Sequence, residues 1–267
     1  MPFANGLYSS IFDDGTLSQP PILLLHGAGS TRLCWPSAIR RLPGYKVIAL
    51  DLPGHGRSEG VALQSVAEYA EAVLDFMREM GLYRASLVGH SLGSAIALYL
   101  ALHYPDRVAH LGIISGGAAL HIPENILAAF SNRTTFKEGL EQLAQVLFGP
   151  SASNKLKEQV LETLQSMRPG VLYGDWLACA NFDLSDSLQQ IKIPAWIIVG
   201  DHDKLTPPYQ SRHLAKQIKN STLQLVPGAG HMLILEAPDA VSRGLAEFLK
   251  NDLLYHFTSL LRKSARL

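Results

Sequence analysis

A serine with a glycine two residues away on each side, Gly89-His90-Ser91-Leu92-Gly93, is the segment of this chain best suited to covalent chemistry. A serine hydroxyl is a poor nucleophile until a base takes its proton, so it calls for a histidine, and the histidine for a carboxylate that orients it. The surroundings fit that demand. Ala85-Ser86-Leu87-Val88 is an apolar run that reads as a buried strand, and residues 91–103 read as a helix that starts at once. Where strand and helix meet over a single residue, side chains beside the turn collide, hence the two glycines. Ser91 is then held strained, its hydroxyl standing out of the sheet edge and the free N–H groups of the helix start close by. A serine that merely capped a helix would need none of this context.

The chain has 10 histidines. His231 follows the apolar run 222–226 and the loop Pro227-Gly228-Ala229-Gly230, and the order serine, acid, histidine suits this topology. His90 projects along the elbow, His26 and His55 brace turns, and His202 lies within the acid loop. The acid comes from Gly200-Asp201-His202-Asp203, after the strand 195–199. Spacing alone leaves Asp201 and Asp203 both open, the second role being to secure the loop through backbone N–H bonds. Attack on a carbonyl creates an oxyanion that needs two donors. The backbone N–H of Leu92 is one. The other is expected from His26-Gly27-Ala28-Gly29-Ser30, with Ala28 first and Gly29 second.

These residues need a frame. Short apolar runs at 22–25, 46–50, 85–89, 108–114, 195–199 and 222–226 alternate with helical segments at 65–80, 91–103, 208–218 and 238–250, and residues 7–14 fit an edge strand. Strands alternating with helices predict an α/β class fold, a mostly parallel central sheet covered by helices on both faces. In the helix 65–80, Val66, Tyr69, Val73, Phe76 and Met77 form one stripe. Residues 117–190 break the alternation. They read as four short helices near 123–131, 134–148, 153–167 and 170–181, a helical cap inserted in a core made of 1–116 and 191–267. The tail, 251–267, places Leu253, Leu254, Phe257, Leu260 and Leu261 on a stripe expected to pack on the core.

Lys+Arg and Asp+Glu both number 23, which argues against a nucleic-acid surface. No apolar stretch reaches membrane-spanning length, and the first residues lack a basic segment followed by an apolar run. Cys34 and Cys179 have no metal-ligand spacing and read as two buried free thiols. A cytoplasmic location and a monomer or homodimer are expected. Gly27 and Gly29 after a strand, with Asp51 ending the next, evoke a dinucleotide fold, but Cys34-Trp35-Pro36 interrupts the place of its long helix. No cofactor and no metal are expected.

His26-Gly27-Ala28-Gly29, Asp51-Leu52-Pro53-Gly54-His55-Gly56-Arg57-Ser58, Gly89-His90-Ser91-Leu92-Gly93, Gly200-Asp201-His202-Asp203 and Gly230-His231 together closely resemble the α/β-hydrolase superfamily across residues 20–250. The resemblance is to its small capped bacterial esterases, enol-lactonases, pimeloyl-ester hydrolases and carbon–carbon bond hydrolases. It implies the catalytic acid at Asp203 and a cap between the sixth and seventh core strands. Serine at position 91 departs from the aspartate of haloalkane dehalogenases and epoxide hydrolases. Leu92 departs from the methionine of cofactor-free haloperoxidases, and Met232 from the tryptophan of ring-cleavage hydrolases. A carboxylesterase acting on a small-molecule ester is therefore expected first, and a lactonase or other acyl-ester or C–C hydrolase second. A binding protein that kept the fold and lost turnover is the rival from another class. Trp176 is expected to form a wall of an apolar acyl pocket, its N–H finding a partner. Arg133, Lys137 and Arg168 are the cap's candidates for gripping a carboxylate. The expected preference is for neutral esters of short to medium acyl chains.

Overall fold

Ile22-Leu23-Leu24-Leu25 has no polar face, so a strand built from it must be covered on both sides. The computed structural model, which describes residues 2–15 and 19–264 with side chains as far as Asn251, shows that covering. The strands are β1 (Phe3–Ala4), β2 (Leu7–Phe12), β3 (Ile22–Leu25), β4 (Val47–Leu50), β5 (Ala85–His90), β6 (Val108–Ile114), β7 (Ala195–Gly200) and β8 (Ser221–Val226). The helices are α1 (Ser37–Arg40), α2 (Val66–Glu79), α3 (Leu92–His103), α4 (Glu124–Phe130), α5 (Phe136–Leu147), α6 (Asn154–Ser166), α7 (Pro169–Ala180), α8 (Pro208–Gln217), α9 (Leu233–Glu236) and α10 (Pro238–Ser264).

One sheet runs in the order β1-β2-β4-β3-β5-β6-β7-β8. Strands β3 to β8 are parallel to one another, and β2 pairs antiparallel with β4. Alternate residues divide between two cores. Leu23 and Leu25 join Tyr69, Val73, Phe76 and Met77 of α2 on one face. Ile22 and Leu24 join Ile39 of α1 and Val241, Leu245 and Leu249 of α10 on the other. Strand β3 lies between β4 and β5, so the chain leaves it to one side and later returns to the other. That reversal opens a crevice beyond the carboxyl ends of β3 and β5. The loop 26–30 and Ser91 both emerge there.

The expected stripe of α2 is buried in full. Ser65 opens this helix by accepting from Glu68 N, while Glu68 reaches back to Gln64 N. Between β6 and β7 the described structure holds α4 to α7 around a third core, where Phe130, Leu140, Leu143, Leu172 and Trp176 meet. Pro169 stands in the first turn of α7, where its missing N–H costs nothing.

Some expectations shift. The edge strand ends at Phe12, and β1, α1 and α9 were not foreseen, being too short to carry a period. The segments 238–250 and 251–267 are one helix as far as Ser264, since no glycine or proline after Pro238 except Gly244 interrupts them. The side chains beyond Asn251, and with them the expected packing of Leu253, Leu254, Phe257, Leu260 and Leu261, lie outside the described residues. Cys34 and Cys179 are both free, but Cys34 is only partly buried. Among the described residues no helix is long and apolar enough to cross a membrane.

Candidate active site

The elbow has the geometry that its glycines demand. Ser91 sits at φ 54° and ψ −117°, a left-handed conformation that side chains other than glycine rarely adopt. A Cβ at Gly89 would lie 2.0 Å from Gly93 O, and one at Gly93 would lie 2.1 Å from Leu25 O. No side chain fits at either position, so strand, turn and helix interlock only with glycine there.

Three side chains from distant parts of the chain converge at the elbow. The Ser91 hydroxyl donates to His231 Nε2 at 2.9 Å. His231 Nδ1–H faces both oxygens of Asp203, at 3.1 and 3.0 Å. Asp203 Oδ1 also accepts from Leu205 N and Thr206 N, and Oδ2 from the Thr206 hydroxyl. Burial opposes the Asp203 charge, but His231 and the Thr206 donors outweigh it and hold the carboxyl below its ordinary range. Asp201 is elsewhere engaged: its exposed carboxylate accepts from Gly228 N at 2.7 Å. The two aspartates that spacing left open thus separate, Asp203 on His231 and Asp201 on the loop that carries it.

The backbone of His231 is held from two sides. Its N–H donates to Leu147 O at the end of α5, and its carbonyl accepts from His90 Nε2. Burial and the neighbouring His231 push His90 down to about 4, so its ring is neutral. Glu236 Oε2 accepts from both Gly230 N and Gly149 N, joining the histidine loop to the helical insertion. His26 does brace its turn: Nδ1–H donates to Gly27 O at 2.8 Å, and Nε2 accepts from Leu52 N at 3.0 Å. Gly29 N donates to Asp175 Oδ2 at 2.8 Å. That bond engages the N–H of Gly29, the second of the two donors expected from this loop.

A cavity of about 310 Å³ opens over Ser91 and His231. Its floor is the loop 27–31, and its walls come from α5, α6, α7 and α9, including Leu143, Leu147, Val160, Leu164, Trp176 and Leu235. Trp176 lines it. Its indole N–H, however, has no partner among the described residues, because the wall around it is apolar and Phe130 stacks on the ring. Arg133 and Lys137 are exposed and line no part of the cavity. Arg168 instead donates to Gly54 O at 2.7 Å. The contribution of α6 was missed; its signal was the i, i+4, i+8 stripe Leu156, Val160, Leu164 on a helix otherwise rich in polar residues. Asp51 is no ribose ligand: its carboxylate accepts from Arg32 N, Arg32 Nη1 and Arg57 N.

Known proteins share this arrangement of elements. A hydrolase of (E)-2-((N-methylformamido)methylene)succinate from Acinetobacter baylyi is 26% identical over 259 residues, 94% of this chain and 97% of that one. A pimeloyl-(acyl-carrier protein) methyl ester esterase from Pectobacterium carotovorum subsp. carotovorum is 30% identical over 243 residues, 85% of this chain and 93% of that one. The structure of a thermophilic esterase from Thermogutta terrifontis, solved with malate bound, matches with a TM-score of 0.83 at 25% identity, over 92% of this chain and 93% of that one. The sequence pattern described as the alpha/beta hydrolase fold matches residues 20–238. With that match, the sheet order and the elbow together, this chain belongs to the α/β-hydrolase family.

Proposed function

We propose that the protein is a serine hydrolase that cleaves neutral carboxylic esters of short to medium acyl chains through an acyl-enzyme. The observation that carries this reading is the unbroken relay from Ser91 Oγ through His231 to Asp203, with 2.9 Å on one side of the imidazole and 3.0 Å on the other. In this reading His231 Nε2 takes the Ser91 proton as the oxygen attacks the ester carbonyl. The N–H groups of Ala28 and Leu92 hold the oxyanion. His231 then returns the proton to the departing alkoxide, and the alcohol leaves. Water, deprotonated by the same nitrogen, attacks the acyl-enzyme and releases the acid. Every atom of the cycle comes from the chain, the ester and water, so the cycle needs no cofactor. A lactone fits the same steps, with alcohol and acid leaving as one molecule.

Residues 117–190 act here as a cap on the core 1–116 and 191–267. The pocket between them supports the neutral acyl group, because none of its described lining residues is Lys, Arg, Asp or Glu. A carboxylate buried there would have no counter-charge. The succinate hydrolase from Acinetobacter is named for a substrate with carboxylates, so this chain and that relative are expected to differ in substrate. Trp176 forms one wall.

The experiment is kcat/KM for p-nitrophenyl esters from acetate to dodecanoate, with and without a terminal carboxylate, on wild type and Ser91→Ala. Labelling by a fluorophosphonate is measured in parallel. Turnover and labelling that both vanish in the folded variant are expected. An unlabelled, inactive wild type would leave only a binding protein of this fold.

A further inference from the structure

We propose that Asp175, on the cap helix α7, is a positioning residue that sets the oxyanion loop by holding Gly29. The inference rests on the serine-hydrolase reading, in which Ala28 N–H receives the negative charge that develops on the substrate.

The peptide that carries Ala28 N–H also carries Gly27 C=O, and the two point in opposite directions because the peptide is planar and trans. His26 Nδ1–H donates to Gly27 O, which aims this peptide from behind. The next peptide carries Gly29 N–H, and Asp175 Oδ2 accepts from it at 2.8 Å. Ala28 is therefore tied down on both sides, by a core histidine and by a cap carboxylate. Gly29 itself stands at φ +64°, and a Cβ there would lie 2.5 Å from Leu172 Cδ1 and 2.7 Å from Leu164 Cδ2. Leu172 is one turn before Asp175 on the same helix. So α7 grips the loop twice, through an apolar contact over the Gly29 Cα and a charged acceptor on its N–H. The next residue, Trp176, lines the acyl pocket.

The carboxylate is itself held. His55 Nε2 lies 2.8 Å from Asp175 Oδ2, and the Tyr69 hydroxyl donates to Oδ1 at 2.5 Å. His55 Nδ1 faces the Pro53 carbonyl at 2.9 Å. A carbonyl only accepts, so Nδ1 carries hydrogen, and the carboxylate facing Nε2 favours hydrogen there as well. Burial opposes a charge on the ring, but Asp175 and the Pro53 carbonyl outweigh it and raise the affinity of His55 for its proton. Asp175 is fully buried, and three donors from three elements converge on it: the loop after β3, the loop after β4, and α2. The two oxygens of a carboxylate have the acceptor capacity for all three. A staple between cap and core would need the bonds to His55 and Tyr69; the bond to Gly29 is the one that reaches the reaction.

The test compares wild type, Ser91→Ala and Asp175→Asn as full chains. It reads kcat, KM and the inhibition constant of an alkyl boronic acid, which forms a tetrahedral adduct on a nucleophilic serine. A loosened oxyanion loop lowers kcat on the order of 10- to 100-fold in Asp175→Asn, with KM held within about twofold, and weakens the boronate by a similar factor. A mere staple lowers thermal stability and leaves kcat and boronate affinity of the folded fraction at wild-type values, which overturns the proposal. A measurement on wild type alone guards against a variant that does not fold. The ¹⁵N-labelled Gly29 amide should resonate downfield, resist exchange and shift when the boronate binds; a Gly29 signal indifferent to the adduct overturns the proposal. Wild type without any ester turnover overturns the serine-hydrolase reading and this one with it. Turnover that is lost in Ser91→Ala but intact in Asp175→Asn overturns this one alone.

Discussion

Two buried histidine–aspartate pairs stand among the described residues, and they differ in what faces the far side of each imidazole. His231 meets Asp203 at 3.0 Å and His55 meets Asp175 at 2.8 Å. All four side chains are buried. The far nitrogen of His231 faces the Ser91 hydroxyl, which can donate. The far nitrogen of His55 faces the Pro53 carbonyl, which cannot. The far nitrogen of the first imidazole can accept from Ser91, whereas that of the second must donate to the Pro53 carbonyl. Their acids differ as well. Asp203 takes its other donors from its own loop, Leu205 and Thr206, whereas Asp175 draws donors from three separate elements. A histidine beside an aspartate thus does not by itself define a chemistry. The third group in line decides whether the pair can move a proton or only hold parts together.

The largest expected effect comes from breaking the first pair at its working end. Ser91→Ala and His231→Ala should each lower kcat about 10⁵- to 10⁶-fold with the fold intact, as members of one unit do. Near-normal rates in either folded variant remove the assignment. Next comes the acid. In Asp203→Asn, the N–H groups of Leu205 and Thr206 keep the remaining oxygen at the Oδ1 position. The amide nitrogen then occupies the Oδ2 position and donates toward His231 Nδ1. That places the hydrogen of the neutral ring on Nε2, where it cannot accept from Ser91. A fall in kcat of roughly 10⁴-fold with KM little changed is expected. Asp201→Asn should instead leave kcat within a few-fold and lower the melting temperature, since Asp201 holds Gly228 N and lies 3.9 Å from the exposed His202. Steady-state rates of both purified variants decide, and the reverse ranking moves the acid to Asp201.

A smaller effect sharpens the contrast at the pocket that Ser91 and His231 line. Within a cavity of about 310 Å³ walled by Leu143, Val160, Leu164 and Trp176, each methylene of the acyl chain should raise kcat/KM. The gain is roughly fourfold per methylene, from about 0.8 kcal/mol of burial, until the space is full. A terminal carboxylate inside that length should cost on the order of tenfold or more, because no cation among the described lining residues meets it. Leu156→Trp, at the wall made by α6, should move the optimum to shorter chains and spare acetate. A carboxylated series that outruns the neutral one overturns the neutral pocket.

Much of this was legible in the sequence, for local reasons. The strands β3 to β8 were readable because runs such as Ile22–Leu25 lack a polar face, and Gly89 and Gly93 announced the elbow because nothing larger fits there. His231 was readable from its place after a late strand. Which aspartate meets His231 was not readable from spacing, since Asp201 and Asp203 both follow β7 and only the direction of the loop separates them. The helical insertion was legible as helices but not as walls. The stripe Leu156, Val160, Leu164 marked an apolar face on α6, but nothing local told that it would face Ser91, or that Arg168 would reach back to Gly54 O. Asp175 had one signal, a charge within the apolar run Val171-Leu172-Tyr173-Gly174-Asp175-Trp176-Leu177-Ala178. Its partners at positions 29, 55 and 69 lie more than a hundred residues away, and only folding brings them to it.

The smallest effect expected is a pH dependence of stability that belongs to the second pair. The groups around His55 are Asp175, Tyr69, His26 and Asp51. Burial and the His55 charge push His26 down to about 3, so it stays neutral above that value. Burial and Asp175 push the Tyr69 phenol upward, so it keeps its proton. Asp51 is paired with Arg32 at 2.6 Å. The proton that this cluster loses between neutral and alkaline pH is therefore the one on His55. Its folded value lies above the ordinary 6.5, so the stability it contributes is fully present below 6.5 and is lost as pH rises through the raised value. Asp175→Asn removes the charge that raises it. The melting-temperature gap between wild type and Asp175→Asn should thus be widest near pH 6 and narrow by a few degrees toward pH 9. Thermal unfolding of both proteins at four pH values in that window measures it, in buffers of matched ionic strength. A gap that stays constant across that window overturns the assignment of this pH dependence to His55.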